Sequence, residues 1–408
     1  MQQPFERVPV TRLGLAVIVT LYLAHALPLY FYNVAMPAIL RSQGVDLRWI
    51  GMLSLLYLPW AFKFLWAPLV DRHYISGLGR RRTWLWLTQA ALVLGIVALA
   101  LTGLEHGLLL FVLVGLWIST FAATQDIAID GYTVESLASS EHRLGSMAQS
   151  MGVALGSMLG GAGVLWLYQV AGWQNALLTL AGLTALTMLA VTRVNDPYSP
   201  SVTAPPGFVA TFKRREVRWA LLLILLYRLV EAPAMAMLMP LLVDRLWSLT
   251  QIGLLMSVAG ASVGLLAAVL AARLLQRQTP ASLLLRAGWL RSLAYVLIAG
   301  LLISGLADGS PLWLGTMVLV LLAIRYLAMT SLYALFMQLC SRQQAGTDFT
   351  VLVCAELLVF FVGGSLSGFL AKGLGYERYY LLLGALSVLS VVLCKPIVRL
   401  IQIDSSNR

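Results

Sequence analysis

Ten ionisable side chains stand inside stretches of sequence that are otherwise apolar: His25, Lys63, Asp126, Asp130, Glu135, Arg228, Glu231, Arg291, Arg325 and Glu356. A charge in such surroundings is costly and survives where it is paired or put to use. Asp126 and Asp130 lie four apart in Thr124-Gln125-Asp126-Ile127-Ala128-Ile129-Asp130-Gly131, so a helix presents both on one face. Two carboxylates that close in a low-dielectric setting resist ionising together, which suits a carrier of exchangeable protons. The same spacing also suits a static pair neutralised by a Lys or Arg from a neighbouring helix.

Arg228 and Glu231 are three apart, again on one helix face, with Pro233 and Pro240 loosening the helix just beyond. A pair that exchanges partners between two conformations is a switch, whereas a fixed pair only neutralises charge. Arg325, next to Tyr326, has no acid close in sequence; a substrate carboxylate or phenolate, Asp126 and Asp130 are all candidate partners. Lys63 follows Pro59 and Trp60 and reads either as a stem reaching toward the lipid interface or as a cation facing an acid. Glu135, Arg291 and Glu356 read as ties between helices. His25, between Tyr22 and Tyr30, is a packing histidine or a proton relay. Tyr30, Tyr227 and Tyr326 lie at or near these charges and are candidates for stacking on a planar ligand.

The elements that carry these residues follow from composition. The chain has 408 residues, 60% hydrophobic and 11% charged, with mean hydropathy +0.85. A membrane-spanning helix takes about 20 apolar residues, and apolar runs recur near 13–40, 49–70, 83–103, 107–135, 145–170, 174–193, 217–243, 250–272, 282–304, 311–339, 348–371 and 378–400. An ordinary soluble enzyme is excluded by this pattern. The expected fold is an all-α membrane protein of twelve transmembrane helices in two six-helix halves, 1–194 and 217–408, joined by a cytoplasmic linker over 195–216 that contains Pro197, Pro200, Pro205 and Pro206. Faint repeats, Ile50-Gly51-Met52-Leu53 with Ile252-Gly253-Leu254-Leu255 and Gly160-Gly161 with Gly363-Gly364, point to duplication.

Twenty-eight Lys and Arg against 17 Asp and Glu give a net charge of +11. Their placement says more than the sum: Arg72 and Arg80 to Arg82, then Lys213 to Arg215, then Arg273 and Arg277, then Lys395 and Arg399 occupy alternate gaps. That is the positive-inside pattern, and it places both termini in the cytoplasm. Cys340, Cys354 and Cys394 have no metal-like spacing and read as packing residues. The run from Leu13 to Leu40 is too long for a cleaved signal peptide. No G-x-S-x-G, H-E-x-x-H or P-loop is present, so neither an enzyme signature nor an ATP-driven pump is expected.

Asp71-Arg72 followed by Gly79-Arg80-Arg81-Arg82 resembles the D-R-x-G-R-R signature between helices 2 and 3 of the major facilitator superfamily, with an insertion before Gly79. The resemblance implies that Asp71, Arg72, Arg80 and Arg81 form a cytoplasmic latch. It also implies that helices 1, 4, 7 and 10 line a central cavity; His25, Asp126, Asp130, Arg228, Glu231 and Arg325 fall on those four. The blocks Leu58 to Pro68, Thr124 to Gly131, Tyr227 to Ala232 and Ala345-Gly346-Thr347-Asp348-Phe349-Thr350 look like the branch that holds the AmpG-like muropeptide permeases, the acetyl-CoA transporters and the RhtX/FptX siderophore permeases. Length and the last block make the chain most similar to the siderophore permeases.

That likeness implies a monomeric inner-membrane transporter importing a ferric siderophore or related metal chelate by alternating access, driven by protons. No cofactor, resident metal or nucleic-acid partner is expected. Asp126, Asp130, Glu231 and His25 would couple protons, and Arg228, Arg325, Tyr30, Tyr227, Tyr326 and Lys63 would bind substrate. The alternative within the branch is an AmpG-like symporter of muropeptides or another small solute with protons.

Overall fold

A computed structural model describes residues 11–43, 56–103, 107–194, 196, 207–306 and 311–406. Among them the chain is helical, and nine helices are long and apolar enough to cross a membrane. Two of the nine, 54 and 60 residues long, each bend at a glycine of positive φ, Gly172 (+78°) and Gly375 (+73°), and so supply two passes apiece. With the short helices that follow Leu56, the count reaches twelve. The beginning of the expected 49–70 span, the Ile50-Gly51-Met52-Leu53 repeat and most of the 195–216 linker lie outside the described residues; the short helix Phe208–Lys213 occupies the linker's end.

The chain divides into two compact units: Met1–Phe208 with Cys340–Thr350, and Val209–Leu339 with Val351–Arg408. In the first, the helix Arg12–Tyr30 starts at Thr11, whose hydroxyl accepts from the Gly14 N–H at 3.1 Å, and runs through a widened π-turn, Phe31–Ala35, into Met36–Ser42. The second span is broken by its prolines. Pro68 has no N–H for the carbonyl of residue 64, so the chain runs as Leu58–Phe62, a tight 3₁₀ turn Lys63–Leu65 and then Ala67–Arg72. That break is what sets Lys63 facing inward, fully buried.

Arg80–Thr102, Leu108–Ser136, His142–Gly156 and Val164–Thr192 complete the unit. Gly152, Gly156 and Gly160 repeat at four-residue spacing along one face, and a Cβ on any of them would run into Tyr22, Ala26 or the Leu27 carbonyl of the Arg12–Tyr30 helix. Lipid supplies no hydrophobic drive between helices, so such close backbone approach is how this pair gains its dispersion contacts.

The second unit contains Arg215–Ala236 with Pro233 inside it, Leu238–Asp244, Gly260–Leu274, Pro280–Ile303, Pro311–Leu339 and most of the long bent helix Ala345–Ser406. Thr279 caps Pro280–Ile303 by accepting from the Ser282 N–H at 3.2 Å, and Pro280 opens its first turn. Leu238, Leu241, Tyr295, Ile298, Leu314, Leu321, Tyr379 and Tyr380 form its core. Outward-facing Leu94, Leu186, Leu266 and Phe369 are largely exposed, as lipid-facing side chains must be.

Candidate functional site

Three polar clusters lie inside these apolar units. The first gathers on the Leu108–Ser136 helix, where Asp126 and Asp130 share a face but not their partners. Lys63, set inward by the 3₁₀ turn, makes a salt bridge to Asp126 Oδ2, and His25 Nε2 lies 3.4 Å from Asp126 Oδ1. The His25 ring packs edge-on to Tyr22 at 5.9 Å and tilts against Trp60 at 5.5 Å, and Lys63 lies over Trp60 at 5.3 Å. Asp130, with no exposed surface, instead accepts on Oδ1 from the Tyr22 hydroxyl at 2.8 Å and from Gln149 Nε2 at 3.4 Å. Its Oδ2 has no hydrogen-bond partner, and no cation forms a salt bridge with it among the described residues. One acid is thus neutralised by a lysine, while the other is held by neutral donors alone.

A polar ladder supports this helix. Gln125 donates to Gln89 Oε1, and Gln89 donates in turn to the Thr184 carbonyl at 2.7 Å and to the Thr187 hydroxyl. These buried amides tie three helices together through groups that lipid could not satisfy.

The second cluster lies at the end of the same helix. Arg81 bridges two acids, with Nη2 at 2.7 Å from Asp71 Oδ1 and at 2.5 Å from Glu135 Oε1 and Nε at 3.0 Å from Glu135 Oε2. Arg80 also contacts Glu135, at 2.5 Å, and donates to the Gln343 carbonyl at 3.1 Å. Asp71 Oδ2 accepts from both the backbone N–H and the hydroxyl of Thr347, at 2.7 and 2.6 Å. Gly131 lies under the Arg81 guanidinium, where a side chain would displace it. Arg72, grouped with these residues by motif, is exposed and outside the network. Glu135, read from the sequence as a tie, is the acid both arginines share.

The third cluster is in the second unit. Arg228 makes salt bridges to Glu231 and Glu356; Arg291 and Arg325 approach the Glu231 carboxylate at 3.7 Å each. Arg291 also donates to the Ser387 hydroxyl at 3.0 Å and the Tyr227 carbonyl at 2.9 Å, with its guanidinium 4.1 Å from the Tyr227 ring centre. Arg228 and Arg325 both lie 5.2 Å from the Phe360 ring. Within each unit the charges find partners: Lys63 pairs with Asp126, and the three arginines approach Glu231, with Arg228 also on Glu356. Tyr326 is separate from the cluster's aromatic contacts, its ring packed on Gly264. Tyr30 is half-buried at the end of its helix.

Sequence reasoning passed over Gln149, Gln89, Tyr295 and the role of Thr347. For Thr347 a signal existed, because the Ala345 to Thr350 block was singled out, but as a mark of substrate class.

The chain matches the Major Facilitator Superfamily over residues 18–355. It is 28% identical over 392 residues to the anhydromuropeptide permease of Escherichia coli K12, covering 93% of this chain and 78% of that protein. Among solved structures it resembles the human organic anion transporter MFSD10, with TM-score 0.74, 18% identity, and 95% of this chain and 100% of that one covered. It also resembles the proton:xylose symporter XylE, with TM-score 0.72, 12% identity, and 93% and 94% covered. The fold is the twelve-helix major facilitator fold that the apolar runs predict.

The siderophore expectation is overturned by the first of these relatives, a muropeptide permease matched along nearly the whole chain. The physical reason for the misreading is visible in the second cluster. Thr347 is spent on Asp71, and Asp348 accepts from the Ser341 N–H at 2.8 Å and from Gln344 at 2.7 Å. The block that suggested a metal chelate is thus bound into the polar knot around Asp71.

Proposed function

The chain belongs to the Major Facilitator Superfamily, and from that premise we propose that it imports anhydromuropeptides together with protons across the bacterial inner membrane by alternating access, with both termini in the cytoplasm. The observation that carries this reading is the likeness to the E. coli anhydromuropeptide permease over 93% of the chain. The orientation rests on the alternate-gap clustering of Lys and Arg.

Asp130 is the proton site in this reading. Among the described residues this fully buried carboxylate has two neutral donors on one oxygen, none on the other and no paired cation, so a proton is its natural counter-charge. Asp126 keeps Lys63 and His25 in place, and His25, 3.4 Å from Asp126 and edge-on to the Tyr22 that binds Asp130, is the group assigned to relay the proton toward Asp126. Glu231, unlike Asp130, is surrounded by guanidiniums and acts as their anchor. The Asp71–Arg81–Glu135 knot, with Thr347 and Arg80, serves as the latch that holds Cys340–Thr350 on the first unit during one stage of the cycle.

Uptake of radiolabelled anhydromuropeptide into vesicles containing the full chain tests this. Uptake should require the chain and collapse with an uncoupler, and Asp130→Asn should retain binding but abolish accumulation against a gradient. Chain-independent uptake, or undiminished proton-driven accumulation in Asp130→Asn, would refute it.

A further inference from the structure

The third cluster holds three guanidiniums, Arg228, Arg291 and Arg325, against two carboxylates, Glu231 and Glu356, leaving one positive charge over among the described residues. The surplus has a location. Arg228 has an acid on each of two nitrogens. Arg325, by contrast, has a 31% exposed side chain, makes no hydrogen bond to protein among the described residues, and approaches an acid only at 3.7 Å. Beside it is a small pocket lined on its polar side by Arg291, Arg325, Tyr227, Tyr295 and Glu231.

Two further donors in that pocket are unused. Arg291 is 3% exposed and Tyr295 fully buried, yet among the described residues Arg291 Nη2 and the Tyr295 hydroxyl have no hydrogen-bond partner. A buried donor without an acceptor costs about 1–3 kcal/mol, and native proteins rarely leave several around one small space. Two guanidiniums, each a planar fork of donors, and a phenol are the donor set that suits a carboxylate. Met235, Leu321 and Ile324 make the rest of the lining apolar, which strengthens each charged hydrogen bond formed inside it.

We propose that this pocket of the second unit is a carboxylate subsite: Arg325 and Arg291 receive a carboxylate of the transported peptide, and the Tyr295 hydroxyl donates to it. The proposal rests on the muropeptide reading for its ligand, since every peptide tail ends in a carboxylate, but its chemistry is independent of that reading. Arg325 recruits the anion from the open side, while Glu231, 3.7 Å from each of the two arginines, anchors them beside the pocket.

The probe is N-acetyl-L-alanyl-D-glutamate, titrated against the purified full chain in detergent, with its diamide as the neutral control. The acid should bind about tenfold to a hundredfold more tightly than the diamide, the range expected for hydrogen bonds to a charged group. Arg325→Gln should erase that discrimination, Arg325→Lys should restore part of it, and Tyr295→Phe should weaken the acid alone. Arg325 is partly exposed and Tyr295→Phe removes one atom, so unliganded melting temperatures should match the parent and separate lost binding from lost folding. Equal affinity for acid and diamide, no binding of the acid, or full discrimination kept in both Arg325→Gln and Tyr295→Phe would overturn the proposal. Acid-selective binding that needs Arg325, in a protein that takes up no anhydromuropeptide, would uphold the subsite and refute the muropeptide reading instead.

Discussion

Replacing Lys63 by Met keeps the length of the side chain and removes only its charge, leaving Asp126, 5% exposed, without its cation. His25 at 3.4 Å is then the nearest basic group. An unpaired carboxylate at that depth takes up a proton instead of remaining ionised. For an ordinary aspartate, titrating about three pH units below neutrality, each unit is worth about 1.36 kcal/mol, so holding it neutral at pH 7 costs about 4 kcal/mol. The figure agrees with the roughly 3–5 kcal/mol lost when one partner of a buried pair is removed. In a unit of this size each kcal/mol moves the melting temperature by roughly 2–4 °C, so Lys63→Met should melt roughly 8–16 °C below the parent in detergent. The sign of the pH dependence follows: acidification supplies the proton the unpaired acid needs, so the deficit should shrink by about 1.4 kcal/mol per pH unit between pH 7 and 4. Adding Asp126→Asn should recover most of the loss at pH 7, because no buried charge is then left. A Lys63→Met variant that melts within 2 °C of the parent, or a double variant no more stable than the single, would show that Lys63 reaches the interface and that the pair carries no energy.

Gly156→Leu drives a branched side chain into Ala26 of the Arg12–Tyr30 helix; overpacking of this kind costs about 1–3 kcal/mol, and thermal melting of the purified chain should report it while Gly182→Ala, in open space, should not. Thr347→Val removes the hydroxyl that donates to Asp71 at 2.6 Å but keeps the backbone donor at 2.7 Å. A hydrogen bond to a charged group is worth about 1.5–3 kcal/mol, so amides of 340–350 should exchange with solvent about tenfold to a hundredfold faster, with the rest of the first unit unchanged.

The spans were legible because lipid imposes a length and a hydropathy that any stretch of sequence either meets or fails. Even the bends are there to be read: Gly172 falls in the gap between runs 145–170 and 174–193, and Gly375 in the gap between 348–371 and 378–400. The polar residues were legible as a set, since ionisable groups inside apolar runs announce themselves. Their pairing was not. Spacing along one helix says that Asp126 and Asp130 share a face, but which of them meets Lys63 depends on how the Pro68 break turns a different helix. Neutral groups such as Gln149, Gln89 and Tyr295 gave no warning, because an amide or phenol in an apolar run is ordinary until its partners are seen. The four-residue spacing of Gly152, Gly156 and Gly160 was a readable signal of close helix packing, and it explains why Tyr22 and Gln149, on the two helices it joins, reach the same carboxylate.

With no cation paired to it among the described residues, Asp130 makes its protonation an electrical event as well as a chemical one. A proton that settles there adds a whole elementary charge to the membrane interior, with no ion pair to mask it, and each elementary charge moved across 100 mV is worth about 2.3 kcal/mol. Loading and unloading this carboxylate should therefore produce a capacitive current in the absence of net transport, and the membrane voltage should pull on that step as directly as the difference in pH.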